Sequence, residues 1–227
     1  MSDPARATRS DPARVVGLIL AAGSGSRFGG GKMRARLDGR PLVAHVIATA
    51  RAVGLGRLVL VLGADATAVR ADLLTADPAA LDGVLVAVNG APERGLASSL
   101  QLGLAAATAA PTPAGVLVLL GDQPRVRPDA IAAVIAAAAA AVPPETRAVA
   151  PLYGDDDAPN PVLLLRSAWS LVAGLQGDRG VGPLLASRPD LVVRVPAVGS
   201  NPDVDTPEDL AGLSALGPLA VPEDARP

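Results

Sequence analysis

Val15–Lys32, VVGLILAAGSGSRFGGGK, is the stretch on which the reading of the chain turns. An apolar run, Val15 to Leu20, passes directly into a small-residue loop that carries Arg27 and ends at Lys32. Glycine permits positive φ and close backbone approach, so successive N–H groups can converge as an anion nest whose charge Arg27 and Lys32 reinforce. The pattern predicts a strand followed by a polyphosphate-binding loop, with a nucleoside triphosphate as the expected ligand.

Two other glycine-rich motifs fail on spacing. A Walker loop counted back from Gly31 and Lys32 needs glycine where Ser26 stands, and a hydroxyl residue where Met33 stands. A dinucleotide fingerprint beginning at Gly23 and Gly25 needs its third glycine at Phe28, whose ring is too bulky for close helix–strand contact. A nicotinamide-dependent oxidoreductase is therefore the weaker alternative, and the next strand's end offers Asp65 as its first acid, off the ribose-binding spacing.

The 227 residues suit one α/β domain, taken as 13–216 between flexible tails at 1–12 and 217–227. Half the residues are apolar but 1% are aromatic, so Ala, Val and Leu must build the core and base-stacking platforms are missing. A net charge of −2 supplies no field for a polyanionic polymer, which argues against nucleic-acid partners. The chain has no cysteine, which removes disulfides, thiolate nucleophiles and the common structural zinc sites. Its opening residues, MSDPARATRSDPAR, do not read as a signal peptide, and no stretch reads as a membrane span, so the expected location is cytoplasmic.

Apolar runs alternate with helical patterns along the chain. Strands are expected at 15–21, 58–62, 84–88, 116–120, 149–152, 162–165 and 191–195, and helices at 41–53, 65–74, 95–109, 128–142 and 207–216. Continuous apolar strands separated by helices require a mostly parallel sheet covered on both faces, an α/β three-layer fold. Ligands in such sheets sit beyond the carboxyl ends of strands, where Gly23, Asn89 and Asp122 all fall. The alanine run 136–141 continues a helix that Pro143 and Pro144 stop.

Asp122 follows an apolar run and precedes Pro124, which places a carboxylate at a strand end where it can face a metal bound to phosphates. In DVDTPEDL, Thr206 reads as a helix N-cap with Pro207 at the first position and Asp209 at the third, leaving Asp203 or Asp205 as a second ligand. Gly95–Leu100 opens a helix whose free N–H groups can meet a base or phosphate, though Ser98 or Ser99 could equally serve as plain caps. Asp155, Asp156 and Asp157 read as a solvated turn. His45, the sole histidine, lies on a helix far from any candidate nucleophile and reads as packing or surface, so Ser-His-Asp and Cys-His sites are not expected.

The residues Leu20, Ala21, Ala22, Gly23, Arg27, Gly29 and Lys32 resemble the first loop of the MobA-like nucleotidyltransferases, most closely the molybdenum cofactor cytidylyltransferases. Further blocks resemble that branch in the same order: Gly95–Leu100, Gly121–Pro124, Asn160–Val162, Gly177–Gly180 and Asp203–Asp209. The resemblance implies a Rossmann-like fold and transfer of a nucleotidyl group to a phosphorylated small molecule, with pyrophosphate released. The acceptor implied is molybdopterin, with guanylyl transfer or another phosphorylated acceptor as the alternative. It further implies catalytic roles for Arg27, Lys32 and Asp122, and nucleotide contacts from Leu20, Ala21, Ala22, Gly23, Arg27, Lys32, Gly95 and Ser98. Mg²⁺ would be held by Asp122 and Asp205, the aspartate just before Thr-Pro. Ala22, where the guanylyl side tends to carry glycine, inclines the base towards CTP. A molybdenum-dependent dehydrogenase would receive the product. Pro159 departs from the glycine usual before the Asn-Pro block, which bears on the acceptor pocket.

Overall fold

The computed structural model describes residues 12–109, 113–140, 142–154 and 160–217. A seven-stranded sheet runs through them, formed by β1 (Val15–Ala21), β4 (Arg57–Leu62), β5 (Val84–Val88), β6 (Gly115–Leu120), β7 (Ala148–Leu152), β8 (Val162–Leu165) and β9 (Val192–Pro196). Its order is β5-β4-β1-β6-β8-β7-β9. Four strands, β5 to β6, are parallel; β8 runs antiparallel to both neighbours, and β9 pairs parallel with β7.

Every residue of β1 is buried because both faces of the sheet are covered. Alternation divides its side chains between two cores. Ile19 and Ala21 join Leu60, Leu62, Leu117 and Leu119 beneath α1 (Leu42–Ala52), α2 (Ala66–Ala76) and α4 (Pro128–Ala139). Leu18 and Leu20 join Val59, Val61, Val116 and Val118 beneath α3 (Leu96–Thr108), α5 (Trp169–Ala173) and α6 (Val181–Ala186). Small and branched aliphatic residues at alternate positions thus build two buried layers, with Trp169 packed on the second, in the three-layer α/β fold expected. Among the described residues no helix is long and apolar enough to cross a membrane.

The chain leaves β1 towards β4 and β5 on one side and returns as β6 on the other. The strand order therefore reverses between β1 and β6, and the crevice beyond their carboxyl ends is where such sheets bind ligands. A short hairpin, β2 (Arg36–Leu37) with β3 (Arg40–Pro41), and a last helix, α7 (Pro207–Ala215), flank that crevice. A third apolar cluster of Leu37, Leu42, Val204 and Leu213, with Phe28 packed on it, joins these pieces. Phe28, too large for a dinucleotide turn, here anchors the glycine loop.

The expected elements appear with shifts of up to three residues at their ends. The hairpin, α5 and α6 were not expected. Ala141 and the triplet Asp155–Asp157 lie outside the described residues, as do 1–11 and 218–227. At the expected tail boundaries, the Pro12 carbonyl accepts from Gly56 N and the Gly217 carbonyl accepts from Arg125 Nη2 at 2.6 Å. The chain is thus tied down to those residues.

Candidate active site

Beyond the carboxyl ends of β1 and β6 lies a cavity of about 550 Å³, lined in part by Leu20, Ala21, Ala22, Gly23 and Lys32. Gly95, Ser99 and Asp122 also face it, as do Glu93 and Asp178. The glycine loop reaches it in two 3-10 turns, Ser26–Phe28 and Lys32–Arg34, separated by Gly29, Gly30 and Gly31, all at positive φ. Gly25 has φ 59°, and a side chain there would come within 2.9 Å of the Lys32 Cβ. The loop thus closes on the base of its own lysine, which requires glycine at that point.

Lys32 is 8% exposed although it is charged. Its Nζ donates to Asp122 Oδ2 at 2.7 Å and to Asp205 Oδ1 at 3.0 Å. Arg27 Nη1 donates to the other oxygen of Asp205 at 2.9 Å. Burial works against the ammonium charge, but the Asp122 charge and hydrogen bond, with those of Asp205, outweigh it and hold Lys32 above its ordinary pKa. The hydrogen bond from Lys32 prevails over slight burial and, with Arg27, holds Asp205 below the usual carboxylate range. Two acids far apart in sequence therefore converge on one cationic centre.

Local structure explains the convergence. Asp122 follows Gly121, whose N–H donates to the Leu20 carbonyl at 2.9 Å, so it stands beside the start of the glycine loop. Asp203, Val204 and Asp205 alternate: Val204 is fully buried in the third apolar cluster, which turns its acidic neighbours away from that core. Val204 N donates to the Asp122 carbonyl at 2.9 Å, stitching the two acidic segments together. Thr206 caps α7 in a full capping box with Asp209, as the residue pattern predicted. Asp209 also accepts from Asp205 N at 3.0 Å, fixing the backbone that carries the second acid. Of the two candidates, Asp205 reaches Lys32, whereas Asp203 accepts from Gln123 Nε2 at 2.7 Å. Partial burial and the charge of Asp122, eased by the Gln123 bond, push Asp203 above the usual carboxylate range.

The opposite wall carries a neutral hydrogen-bonded network, beside the acidic Glu93 and Asp178. Asn89 follows β5 and is buried; its Nδ2 donates to Ser98 Oγ at 2.8 Å and Ser99 Oγ at 2.9 Å. Ser98 Oγ donates in turn to the Gly95 carbonyl at 2.8 Å. Neither serine caps α3 by its side chain; Gly95 is the N-cap. Ser99, not Ser98, lines the cavity, and Arg27 joins the site through Asp205 rather than by lining it. Gly95 has φ 85°, and a Cβ there would lie 2.3 Å from the Gly177 carbonyl carbon. Ala97 N donates to the Gly177 carbonyl at 3.0 Å, so the Gly177–Gly180 segment packs directly on the α3 terminus. Asp178, in that segment, and Glu93 are acidic side chains at the cavity to which the sequence alone assigns no role.

His45 lies apart from this crevice. Its Nε2 donates to the Leu37 carbonyl at 2.8 Å, as the packing reading expected.

Metal capacity follows from the donor set. Asp122 and Asp205 offer carboxylate oxygens within reach of one cation, a position marked by the Lys32 ammonium. Among the described residues no group of three His, Cys, Asp or Glu side chains gathers to hold a metal. Such a pair suits Mg²⁺, which binds through one or two carboxylates with substrate phosphates and waters completing its shell.

Known proteins resemble this chain in sequence and in fold. Residues 17–192 match the MobA-like NTP transferase domain. The crystal structure of Rv0371c from Mycobacterium tuberculosis H37Rv is 33% identical, with a TM-score of 0.77 over 88% of this chain and 97% of that one. The same protein in complex with manganese gives 31% identity and a TM-score of 0.73 over 88% and 98%. Among curated proteins, the bifunctional protein GlmU of Burkholderia mallei is 48% identical over 62 residues, 26% of this chain and 14% of that protein. The chain thus spans about one seventh of the length of the curated relatives it matches. With a match that runs from β1 into β9 and takes in the glycine loop and Asp122, this chain belongs to the MobA-like NTP transferase domain family.

Proposed function

We propose that the protein transfers a nucleotidyl group from a nucleoside triphosphate to a phosphorylated small molecule and releases pyrophosphate. The observation that carries this reading is the Lys32 ammonium held between Asp122 and Asp205 at the edge of the glycine-lined cavity. Mg²⁺ held by Asp122 and Asp205 would supply charge neutralisation at the phosphates, and the manganese complex of Rv0371c supports a divalent cation on this fold.

The chain's own groups have a limited task. A terminal phosphate of the acceptor is already an anionic nucleophile, so no general base is required. Its oxygen forms a bond to the α-phosphorus as the bond to pyrophosphate breaks. Lys32, Arg27 and the loop amides are fixed donors for the charge that moves onto the leaving pyrophosphate. Once a triphosphate enters, Lys32 exchanges carboxylate partners for phosphate oxygens of the same charge type. Leu20, Ala21, Ala22 and Gly23 flank the triphosphate. Gly95 and Ser99 face it from the neutral wall.

CTP is the proposed donor, on the strength of Ala22. Molybdopterin is the proposed acceptor and a molybdenum-dependent dehydrogenase the proposed recipient, both on the resemblance of the later blocks. The direct assay is pyrophosphate release from CTP, expected only with divalent cation and acceptor together. Release from GTP in place of CTP would change the base, and a fluorescence response to NADH without any triphosphate effect would favour the oxidoreductase alternative. A melting-temperature panel of nucleoside triphosphates with Mg²⁺ should show the donor as the stabilising ligand, by about 2.7 kcal/mol at hundredfold excess over Kd.

A further inference from the structure

Gln123 is 1% exposed and Asn201 is 3% exposed, and their side chains face each other behind the two acids. Gln123 Nε2 donates to the Asn201 carbonyl at 3.1 Å and to Asp203 Oδ1 at 2.7 Å. Asn201 Nδ2 donates back to Gln123 Oε1 at 3.0 Å and to the Asn160 carbonyl at 3.2 Å. Gln123 is the residue after Asp122, and Asn201 opens the segment that delivers Asp205. The two primary amides therefore lock together the strand end carrying one acid and the loop carrying the other.

Buried amides of this kind cost desolvation, and an aliphatic pair of similar volume would fill the space without it. What they add is a fixed hydrogen-bonding register. Gln123 must be an amide, because one nitrogen donates both to a backbone carbonyl and to the Asp203 carboxylate. A glutamate of the same shape would set carboxylate against carboxylate. The Val204 N–H to Asp122 carbonyl bond completes the lock on the backbone side.

We propose that Gln123 and Asn201 are positioning residues that set the spacing between Asp122 and Asp205, and so the affinity of the divalent-cation site, without touching ion or substrate. The inference rests on the metal-assisted reading proposed above. Groups that orient metal ligands from behind typically govern metal affinity by about 10–100-fold.

The test is Mn²⁺ binding with CTP, followed by electron paramagnetic resonance, in the parent and in Gln123→Glu. Mn²⁺ affinity should weaken by about 10–100-fold. At low Mg²⁺ kcat should fall in parallel, and it should recover when Mg²⁺ is raised beyond the level that saturates the parent, with KM for the nucleotide little changed. Adding Asp203→Asn to Gln123→Glu restores the donor–acceptor pair between positions 123 and 203, though not the bond to the Asn201 carbonyl, and should recover part of the lost Mn²⁺ affinity. If Gln123→Glu does not fold, Gln123→Met, which removes both donated bonds without adding a charge, takes its place and should likewise weaken Mn²⁺ affinity. Parent-like Mn²⁺ affinity in Gln123→Glu, with only a lower melting temperature, overturns the proposal. Failure of the double variant to recover affinity also overturns it. A parent that neither binds Mn²⁺ nor releases pyrophosphate overturns the nucleotidyl-transfer reading itself, which keeps the two failures distinct.

Discussion

The two walls of the crevice are made in opposite ways. On one side Lys32, Asp122 and Asp205 are charged, and the lysine lies 90 and 173 positions from its partners. On the other, Asn89, Ser98 and Ser99 form a neutral network of side chains 9 or 10 positions apart, of which Ser99 faces the cavity beside Glu93 and Asp178. The charged wall is assembled from distant segments, and its ion pairs offer an incoming polyphosphate charges that can change partner. The neutral network is complete within one strand–turn–helix unit, its side chains already bonded to one another.

Removing the charge at the centre of the first wall should have the largest effect. Lys32→Met keeps most of the aliphatic stem but deletes the ammonium, and turnover should fall by about 10²–10³. Steady-state pyrophosphate release measures this, and unchanged turnover would remove Lys32 from the chemistry. The second wall is tested by Gly95→Ala, where φ 85° and the clash with Gly177 force the α3 terminus away from the Gly177–Gly180 segment. Backbone strain of this kind costs about 1–3 kcal/mol. The expected result is a lower melting temperature with a raised KM for the nucleotide. If KM holds while kcat collapses, the neutral wall is not a binding wall. Asn89→Ala is milder: it leaves two hydroxyls and the Ala91 N–H to find water, costing about 1–3 kcal/mol of stability, with kcat largely retained at saturating nucleotide.

The difference between the walls also decides what the sequence disclosed. The parallel half of the sheet was legible because each strand is a continuous apolar run, buried on both faces in β1, β4 and β6 and half-exposed only in β5 at the edge. The glycine loop was legible because its spacing excluded the commoner motifs. Asp122 could be placed from its strand end, yet nothing in the primary structure could say that Lys32 would stand between it and Asp205. That contact depends on Val204 packing against Leu37, Leu42 and Leu213, and pairing across such distances leaves no periodic trace. The Gln123–Asn201 lock was hidden for the same reason, since a buried amide looks like any loop amide until its partner is known. Other omissions were readable: Asp38-Gly39, with φ 50° and 77°, is a hairpin turn signal in plain view. Helix α6 was concealed by Gly182 and Pro183 within a six-residue span that shows no helical period.

The smallest expected effect concerns how a neutral contact braces the charged wall. His45 on α1 donates to the Leu37 carbonyl, and Leu37 belongs to the hairpin that follows the Lys32–Arg34 turn. Burial lowers the pKa of His45; the Leu37 and Arg40 backbone bonds and the Asp38 charge oppose the shift, while the Arg40 charge adds to it. The folded protein therefore takes up this proton less readily than the unfolded chain, whose histidine titrates near about 6.5. Its contribution is present above that value and declines as the pH falls through it, continuing until the depressed folded value is passed. Since the chain has one histidine, the comparison of parent with His45→Gln is clean. Glutamine can keep a donor towards Leu37 but cannot titrate. Melting curves should show the parent losing stability relative to His45→Gln between about pH 7 and pH 5, with the two curves running parallel above pH 7. If the parent instead gains on the variant as the pH falls, the imidazole is welcomed as a cation, and the brace beneath the glycine loop belongs with the charged wall rather than with the neutral one.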